Sequence, residues 1–195
     1  MTRIGIFEGT FNPPHNGHVL SARAFMEQMW LDFLYVLPMP IVGEREADTA
    51  HRLRMCEAAF GGAEGVYVSD AAIKNASFST SGALRELFAD ERRLFLLCGT
   101  DRMLALREER DVAEIFQYAY PVYVRREKDP MLDRRIVKQI SAYQEAYGKV
   151  MRRIVTEPTV ISSEEIRARV RAGKPIGDCV PPAVEKYIGD NHLYV

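Results

Sequence analysis

The sequence lacks an excess of charge of either sign, because 26 Lys and Arg stand against 27 Asp and Glu. This balance excludes a general attraction to nucleic acid or to an anionic membrane, so any binding of anions must be local. No apolar run approaches the roughly 20 residues of a membrane span, and no signal-peptide stretch opens the chain. The three cysteines, Cys56, Cys98 and Cys179, show no metal-ligand spacing. We therefore expect reduced, buried thiols in a cytoplasmic protein with no metal site of its own.

What the sequence does contain is an alternation of short apolar runs and longer amphipathic segments, which is typical of a parallel sheet with crossover helices. With 195 residues, of which 47% are hydrophobic, we predict a single α/β domain over residues 1–195. Ligands bind beyond the carboxyl ends of the strands in such sheets. The predicted strands are Arg3–Phe7, Phe33–Leu37, Gly65–Ser69, Leu94–Cys98, Pro121–Arg125 and Arg153–Thr156. The predicted helices are Val19–Trp30, His51–Phe60, Ser81–Phe88, Val112–Phe116, Leu132–Tyr147, Ser163–Ala172 and Pro182–Ile188.

A first candidate site follows the first predicted strand, in the run Glu-Gly-Thr-Phe-Asn-Pro-Pro-His-Asn-Gly-His that ends at His18. Gly9 lets the backbone approach a ligand closely, and the two prolines stiffen the loop. His15 and His18 stand at the start of a predicted helix, where free amides and the helix dipole favour an anion. We interpret this segment as a polyphosphate site. The alternatives are a turn with two surface histidines and, with less support, a metal site.

A second candidate site follows the sixth predicted strand, in the run Ile-Ser-Ser-Glu-Glu-Ile-Arg that starts at Ile161. Ser162 and Glu165 form an S-x-x-E capping box, so the simplest interpretation is a well-capped helix. A capped helix start with two hydroxyl groups, and with Arg167 one turn further on, is also a receptor for phosphate.

In this order along the chain, the two motifs resemble the G-[ST]-F-[DN]-P-x-H-x-G-H and ISST-x-x-R motifs of the nucleotidyltransferase superfamily. The resemblance implies a Rossmann-like doubly wound parallel sheet with flanking helices. It also implies that both histidines are catalytic, with His18 stabilising the α-phosphate of ATP as it is attacked. The residues that the resemblance places on ATP are Gly9, Thr10, Phe11, His15, His18, Ile161, Ser162, Ser163 and Arg167.

Other segments are similar to those of the bacterial nicotinate-nucleotide adenylyltransferases: the His-Arg-Leu-Arg-Met run from His51, the Gly-Thr-Asp run from Gly99, and the carboxyl-terminal tail. This similarity implies transfer of AMP from ATP to nicotinate mononucleotide in NAD biosynthesis, with Mg²⁺ carried on ATP. The implied partners are ATP and a pyridine mononucleotide, without nucleic acid or membrane. Gly99 and Asp101 would lie beside the adenosine, and Thr80 would offer a backbone amide to the nicotinate carboxylate.

Several positions depart from that family pattern. No aromatic residue lies within Arg102–Arg110, where the family has a tryptophan that stacks on the pyridine ring, so Phe116 or Tyr118 would have to replace it. Ile41–Glu46 replaces a PPHK loop and leaves Arg45 as the nearest basic candidate for the mononucleotide. The remaining departures are Ser79 in place of a tyrosine, Glu8 in place of a glycine and Glu164 in place of a threonine.

These departures keep other functions open. One is adenylyl transfer to nicotinamide mononucleotide or to another phosphate monoester. Another is a nucleotide-binding sensor without turnover, because a carboxylate beside a triphosphate repels it by about 4 kcal/mol at intermediate dielectric. A relative of the class I tRNA synthetases is disfavoured by the short chain and by its balanced charge. An oligomer is possible, since Leu132–Tyr147 is amphipathic enough to pack on a partner, although packing on its own sheet is the simpler expectation.

Overall fold

The computed structural model describes residues 1–40, 47–75, 77–87, 92–125, 130–157, 159 and 161–195. Six parallel strands form one sheet in the order β3-β2-β1-β4-β5-β6, which confirms the predicted doubly wound α/β fold. The strands are β1 (Thr2–Gly9), β2 (Phe33–Pro38), β3 (Val66–Val68), β4 (Arg92–Gly99), β5 (Ala119–Val124) and β6 (Arg152–Ile154). The helices are α1 (Asn16–Gln28), α2 (Thr49–Phe60), α3 (Ala71–Lys74), α4 (Thr80–Leu87), α5 (Thr100–Ala105), α6 (Val112–Tyr118), α7 (Pro130–Tyr147), α8 (Ser163–Arg171) and α9 (Pro182–Asp190).

The predicted strands and helices are confirmed, with shifts of up to three residues at their ends. The prediction missed α3 and α5, which have four and six residues and are too short to show helical periodicity. α1 begins at Asn16, three residues before the predicted start, because His15 caps it. Gly173 has φ +63 just after α8, as expected for a glycine that follows a helix end.

Two hydrophobic clusters cover the two faces of the sheet. On one face, Ile4 and Ile6 of β1 belong to a cluster that includes residues of α4, α6 and α7. On the other face, Phe7 belongs to a cluster with residues of α1 and α2. This division follows from the strand backbone, which points successive side chains to opposite faces. The side chain at position 8 therefore points to the face of Ile4 and Ile6.

A third hydrophobic cluster joins α2, α8, α9 and the carboxyl-terminal tail. It includes Met55 of α2, Ile166 of α8, Val184 of α9 and Tyr194 of the tail. α7 packs on its own sheet, as expected, and buries Ile136 and Tyr143. Among the described helices, none combines the length and apolar character needed to cross a membrane.

The strand order creates a switch point between β1 and β4. From β1 the chain winds outward through β2 and β3, and it then returns to β4 on the opposite side of β1. The helices that follow β1 and β4 lie on opposite faces of the sheet, and a crevice opens between them at the carboxyl ends of the strands.

Candidate active site

The first predicted motif forms the loop from the end of β1 to the start of α1. His15 caps α1 with an extended backbone, and its backbone N–H donates to Nδ1 of His18 at 3.2 Å. The two rings lie 3.7 Å apart between centroids, at an angle of 32°. Because Nδ1 of His18 accepts a hydrogen bond, a neutral His18 carries its proton on Nε2. His15 is 2% exposed, whereas His18 is only half-buried. The half-buried histidine therefore has a ring N–H that is suited to donate to an anion.

Phe11 fills the inside of this loop. Its side chain is 1% exposed and packs edge-on against Phe7 at 5.3 Å and against His18 at 5.0 Å. A Cβ atom on Gly9 would lie 2.9 Å from the Phe11 ring, so a side chain at this position would clash with the ring. The structure thus buries Phe11 in the core beneath the loop. Thr10, by contrast, is exposed at the end of the sheet.

The second predicted motif lies directly against the first. Ser162 caps α8 by accepting from the Glu165 backbone N–H at 3.1 Å. The Ser163 hydroxyl donates to the Pro13 carbonyl at 2.8 Å, and Arg167 Nη1 donates to the Asn12 carbonyl at 2.8 Å. The half-buried Ile161 packs against the third cluster. Two segments far apart in sequence therefore meet, and the start of α8 borders the loop that leads into α1.

Gly17 marks another close approach between these two parts of the chain. A Cβ atom at Gly17 would lie 2.8 Å from Oγ1 of Thr159 and 3.0 Å from the His15 ring. The segment just before α8 thus reaches the first turn of α1. A side chain larger than hydrogen at Gly17 would push the two segments apart.

Two residues that the sequence prediction missed hold the loop in place. Arg52 is 1% exposed, and its Nη1 donates to the carbonyls of Thr10 at 2.7 Å and Met39 at 2.9 Å. It ties the ends of β1 and β2 to α2. The Tyr194 hydroxyl donates to Oδ1 of Asn12 at 2.7 Å in a buried contact. Both residues lie in segments similar to the family, namely the run from His51 and the tail, and that similarity was the only sequence signal for them.

Gly99 and Asp101 lie across the crevice, at the end of β4. Gly99 precedes α5, and Asp101 lies exposed in the first turn of that helix. Thr100 between them is buried, and its hydroxyl donates to the Val124 carbonyl at 3.3 Å. The Gly-Thr-Asp run is therefore the start of a short helix. The Asp101 carboxylate is exposed beside the crevice.

The Glu8 side chain does not lie beside the histidines. The expected repulsion between its carboxylate and a triphosphate assumed that position. The side chain points to the other face of β1, where it is 2% exposed. Oε2 of Glu8 accepts from Arg102 Nη1 at 2.5 Å and from the Thr80 hydroxyl at 2.9 Å. Arg102 Nε and Nη2 donate to the two carboxylate oxygens of Glu109 at 3.0 and 3.2 Å. We call Glu8, Thr80, Arg102 and Glu109 the crevice network.

Burial and pairing act in opposite directions on the ionisation of this network. Burial raises the pKa of Glu8 above its ordinary value, and the charge and hydrogen bond of Arg102 only partly oppose the rise. Burial would lower the pKa of Arg102, but the hydrogen bond to Glu109 and the charge of Glu8 help raise it, so the guanidinium stays charged. Cys98 lies nearby in β4, and burial raises its pKa to about 12. All three cysteines are free and buried, as expected.

The remaining predicted residues lie apart from the phosphate loop. Thr80 begins α4, is 7% exposed and belongs to the crevice network. Arg45 lies outside the described residues. Phe116 is 1% exposed and stacks on Tyr147 at 4.5 Å, so it is not available as a replacement for the family tryptophan. Tyr118 is also excluded, because it ends α6 just before β5 and lies at the amino-terminal edge of the sheet.

A cavity of about 610 Å³ opens beside Thr80, between the β1–β2 face of the sheet and the α3–α4 segment. Ile6, Leu37 and Phe78 are among the apolar side chains that line it, and Ser79 and Arg85 are among the polar ones. Phe78 is thus an aromatic side chain two residues before Thr80 of the crevice network. Glu164, the other acidic departure, is exposed on the first turn of α8.

Comparison with known proteins agrees with this geometry. A family model described as cytidylyltransferase-like matches residues 6–169. The chain belongs to this family. A Gemmatimonas aurantiaca protein named "Probable nicotinate-nucleotide adenylyltransferase" is 34% identical over 98% of this chain and 92% of its own length. A Pseudomonas aeruginosa protein of the same name is 31% identical over 98% of this chain and 97% of its own.

Solved structures support the fold of this family member. The nicotinic acid mononucleotide adenylyltransferase of Plasmodium falciparum, complexed with NaAD, matches with a TM-score of 0.73 at 16% identity. The match covers 100% of this chain and 98% of that one. The same Plasmodium protein complexed with APC matches with a TM-score of 0.70 at 17% identity.

Proposed function

We propose that this protein is a nucleotidyltransferase that transfers AMP from ATP to nicotinate mononucleotide, forming the dinucleotide and pyrophosphate in NAD biosynthesis. The observation that carries the proposal is the contact between the two phosphate-type motifs, Ser163 on Pro13 and Arg167 on Asn12, at the carboxyl edge of the sheet. The names of the relatives that match nearly the whole chain support the choice of substrates.

In this proposal the triphosphate of ATP lies between the α1 and α8 starts. The dipoles at both helix starts favour the phosphates, the ring N–H of His18 supplies a donor, and Arg167 supplies a positive charge. The backbone of the loop from Gly9 to Phe11, with Ile161, Ser162 and Ser163, completes the phosphate site. Gly99 and Asp101 lie where adenosine would extend across the crevice, and a carboxylate there suits ribose hydroxyls.

The chemistry requires positioning and charge stabilisation rather than a protein nucleophile. A phosphate oxygen of the mononucleotide attacks the α-phosphorus of ATP in line, and the bond from that phosphorus to the bridging oxygen breaks as pyrophosphate leaves. The attacking phosphate is already ionised at neutral pH, so no general base is needed. His15 and His18 donate hydrogen bonds to the charge that develops on the α-phosphate.

A divalent cation fits this site as a companion of ATP. Among the described residues, no three His, Cys, Asp or Glu side chains come together as ligands. Phosphate oxygens and water molecules would therefore supply the ligands of a bound Mg²⁺ ion. Its contribution is neutralisation of the triphosphate charge, while the side chains orient the nucleotide.

We infer that residues 1–195 act as one domain, because α2 contributes to both the second and the third hydrophobic clusters. We infer a cytoplasmic site of action, which the three free thiols support. We also infer that Thr80 contributes to mononucleotide binding from the far side of the crevice, and that Arg45 does so from the loop before α2.

The first test is release of pyrophosphate from Mg·ATP with nicotinate mononucleotide, nicotinamide mononucleotide or phosphopantetheine offered separately. We expect turnover with nicotinate mononucleotide. ATP binding without turnover on any acceptor would favour the sensor, and a preference for phosphopantetheine would contradict the assignment of the acceptor.

The second test is His18→Ala, for which we expect kcat to fall by about a hundredfold to a thousandfold, as on loss of one donor to a developing anion. The KM for ATP should change only a few-fold, because the ring N–H acts mainly in the transition state. His192→Asn is the matched control, since His192 is exposed and has φ +49, which asparagine tolerates. Equal losses of rate and of ATP affinity would contradict the role of His18.

A further inference from the structure

The crevice network lies where a second substrate would meet ATP. Phe7, next to the histidines, faces one side of the sheet, and Glu8 faces the other. The network joins the ends of β1 and β4 with the start of α4, so it spans the switch point. Because the phosphate motifs occupy the α1 side of this crevice, the acceptor must approach from the side of α4 and α5.

We propose that Arg102 binds the carboxylate of the acceptor, and that Glu109 is the side chain which this carboxylate displaces. The inference rests on the proposed function, because it names the group that distinguishes an acidic acceptor from its amide.

The guanidinium of Arg102 keeps its position whether or not Glu109 stays on it. Nη1 of Arg102 donates to Glu8, whose carboxyl group is buried and also accepts from the Thr80 hydroxyl. Nη2 lies 3.2 Å from the Thr80 oxygen. Two contacts from separate elements therefore orient the plane of the guanidinium before any ligand arrives.

Glu109 holds Arg102 in the way that a carboxylate ligand would. Its two oxygens accept from Nε and Nη2, the two-point geometry in which arginine recognises carboxylates. The Glu109 and Arg102 side chains are 31% and 27% exposed, unlike the buried Glu8. A partly exposed ion pair of this kind is held weakly. Exchange of Glu109 for another carboxylate preserves both hydrogen bonds and the charge balance around Arg102.

An amide cannot make the same exchange. A carboxamide offers one oxygen and no charge, so it would leave one Arg102 donor without an acceptor and its charge without compensation. Glu109 therefore competes with an acidic acceptor for the same donors, whereas an amide acceptor leaves Glu109 in place. This difference makes the Arg102–Glu109 pair a determinant of acceptor specificity.

The test compares Glu109→Gln with Glu108→Gln, using nicotinate and nicotinamide mononucleotides as acceptors. Both variants remove one negative charge from neighbouring positions, but Glu108 is exposed and has no hydrogen bond or ion pair recorded within the part of the chain that the structure describes. We expect Glu109→Gln to lower the KM for nicotinate mononucleotide about threefold to tenfold with kcat unchanged. The KM for nicotinamide mononucleotide should change less than twofold, and Glu108→Gln should leave both values near wild type.

A second variant tests Arg102 itself. Arg102→Gln alone would leave the buried Glu8 without its cation, so Glu8→Gln/Arg102→Gln removes one charge of each sign and leaves the net charge of the network unchanged. We expect this double variant to lose at least tenfold of the preference for the acid over the amide. Equal effects of Glu109→Gln on both acceptors, or an unchanged preference in the double variant, would overturn the inference. Absence of turnover by the wild type with either acceptor would instead count against the proposed function.

Discussion

Burial and hydrogen bonding have opposite effects on the ionisation of the Glu8 carboxyl group. Its side chain accepts from Arg102 and Thr80, which favours the charged form, yet burial disfavours that form more strongly. The pKa of Glu8 in the folded protein therefore lies above its ordinary value of 4.5. The folded state binds this proton more tightly than the unfolded chain does. By linkage, the resulting stabilisation is fully present below pH 4.5 and is lost as the pH rises through the raised pKa.

Glu8→Gln tests this dependence on pH. The amide oxygen of Gln can still accept from Thr80 and Arg102, but it does not titrate. We expect the free energy of unfolding of the wild type, relative to that of the variant, to decrease as the pH rises above 4.5. Urea unfolding between pH 4 and pH 8 measures this difference, with the exposed Glu108→Gln as the control. A constant difference over that range would contradict the raised pKa.

The direction of the Glu8 side chain was available in the sequence, although the resemblance suggested that this carboxylate would lie in the phosphate site. Ile4, Ile6 and Glu8 alternate along β1, so they share a face, and Phe7 points to the other. What the sequence alone did not provide was the partner. Arg102 and Glu109 follow a distant strand, and only the pairing of β1 with β4 brings them to Glu8.

α8 illustrates what a helix start adds to a site. Ser162 supplies the cap that the S-x-x-E pattern predicted, and this cap needs no ligand. Arg167 lies one turn further on, and its contact with the Asn12 carbonyl points it towards the loop before α1. Arg169, two residues later, pairs instead with Glu165 on its own helix and with Asp178. These two arginines of α8 therefore have different partners, and it is Arg167 that contacts the loop before α1.

Arg167→Gln and Arg169→Gln form a matched pair for the role of α8. Loss of a hydrogen bond to a charged phosphate costs about 1.5–3 kcal/mol, so Arg167→Gln should raise the KM for ATP by about tenfold to a hundredfold. Arg169→Gln should change that KM less than Arg167→Gln does, because Arg169 pairs with Glu165 and Asp178 and not with the Asn12 carbonyl. Steady-state kinetics at saturating acceptor measure both values. Similar KM values for the two variants would remove Arg167 from the phosphate site.

At the same scale, the accuracy of sequence prediction depended on the length of each element. Six strands and the longer helices carry enough apolar periodicity to be recognised, whereas α3 and α5 do not. The start of α5 matters most, because Asp101 and Arg102 project from it. Family similarity placed the Gly-Thr-Asp run beside a ligand, but local pattern alone did not distinguish a helix start from a turn.

Over the whole molecule, the candidate phosphate loop is held by segments from both ends of the chain. Arg52 of α2, Arg167 of α8 and Tyr194 of the tail each donate to a backbone or side-chain oxygen between Thr10 and Asn12. The third hydrophobic cluster contains neighbours of all three residues, including Met55 and Ile166. The packing of this cluster therefore positions these three donors, so the geometry of the loop depends on contacts between distant parts of the chain.

Tyr194→Phe tests this coupling with the loss of a single hydroxyl group. The change leaves the buried Oδ1 of Asn12 without that donor, which should lower the free energy of unfolding by about 1–3 kcal/mol. Because the Asn12 carbonyl receives Arg167, the KM for ATP should also rise several-fold while kcat changes little. Tyr187→Phe is the control, since its hydroxyl contacts His51 at 3.0 Å, away from the loop. It should reduce stability without affecting the KM for ATP. If Tyr194→Phe reduced stability alone, the tail would support the third cluster but not the phosphate site.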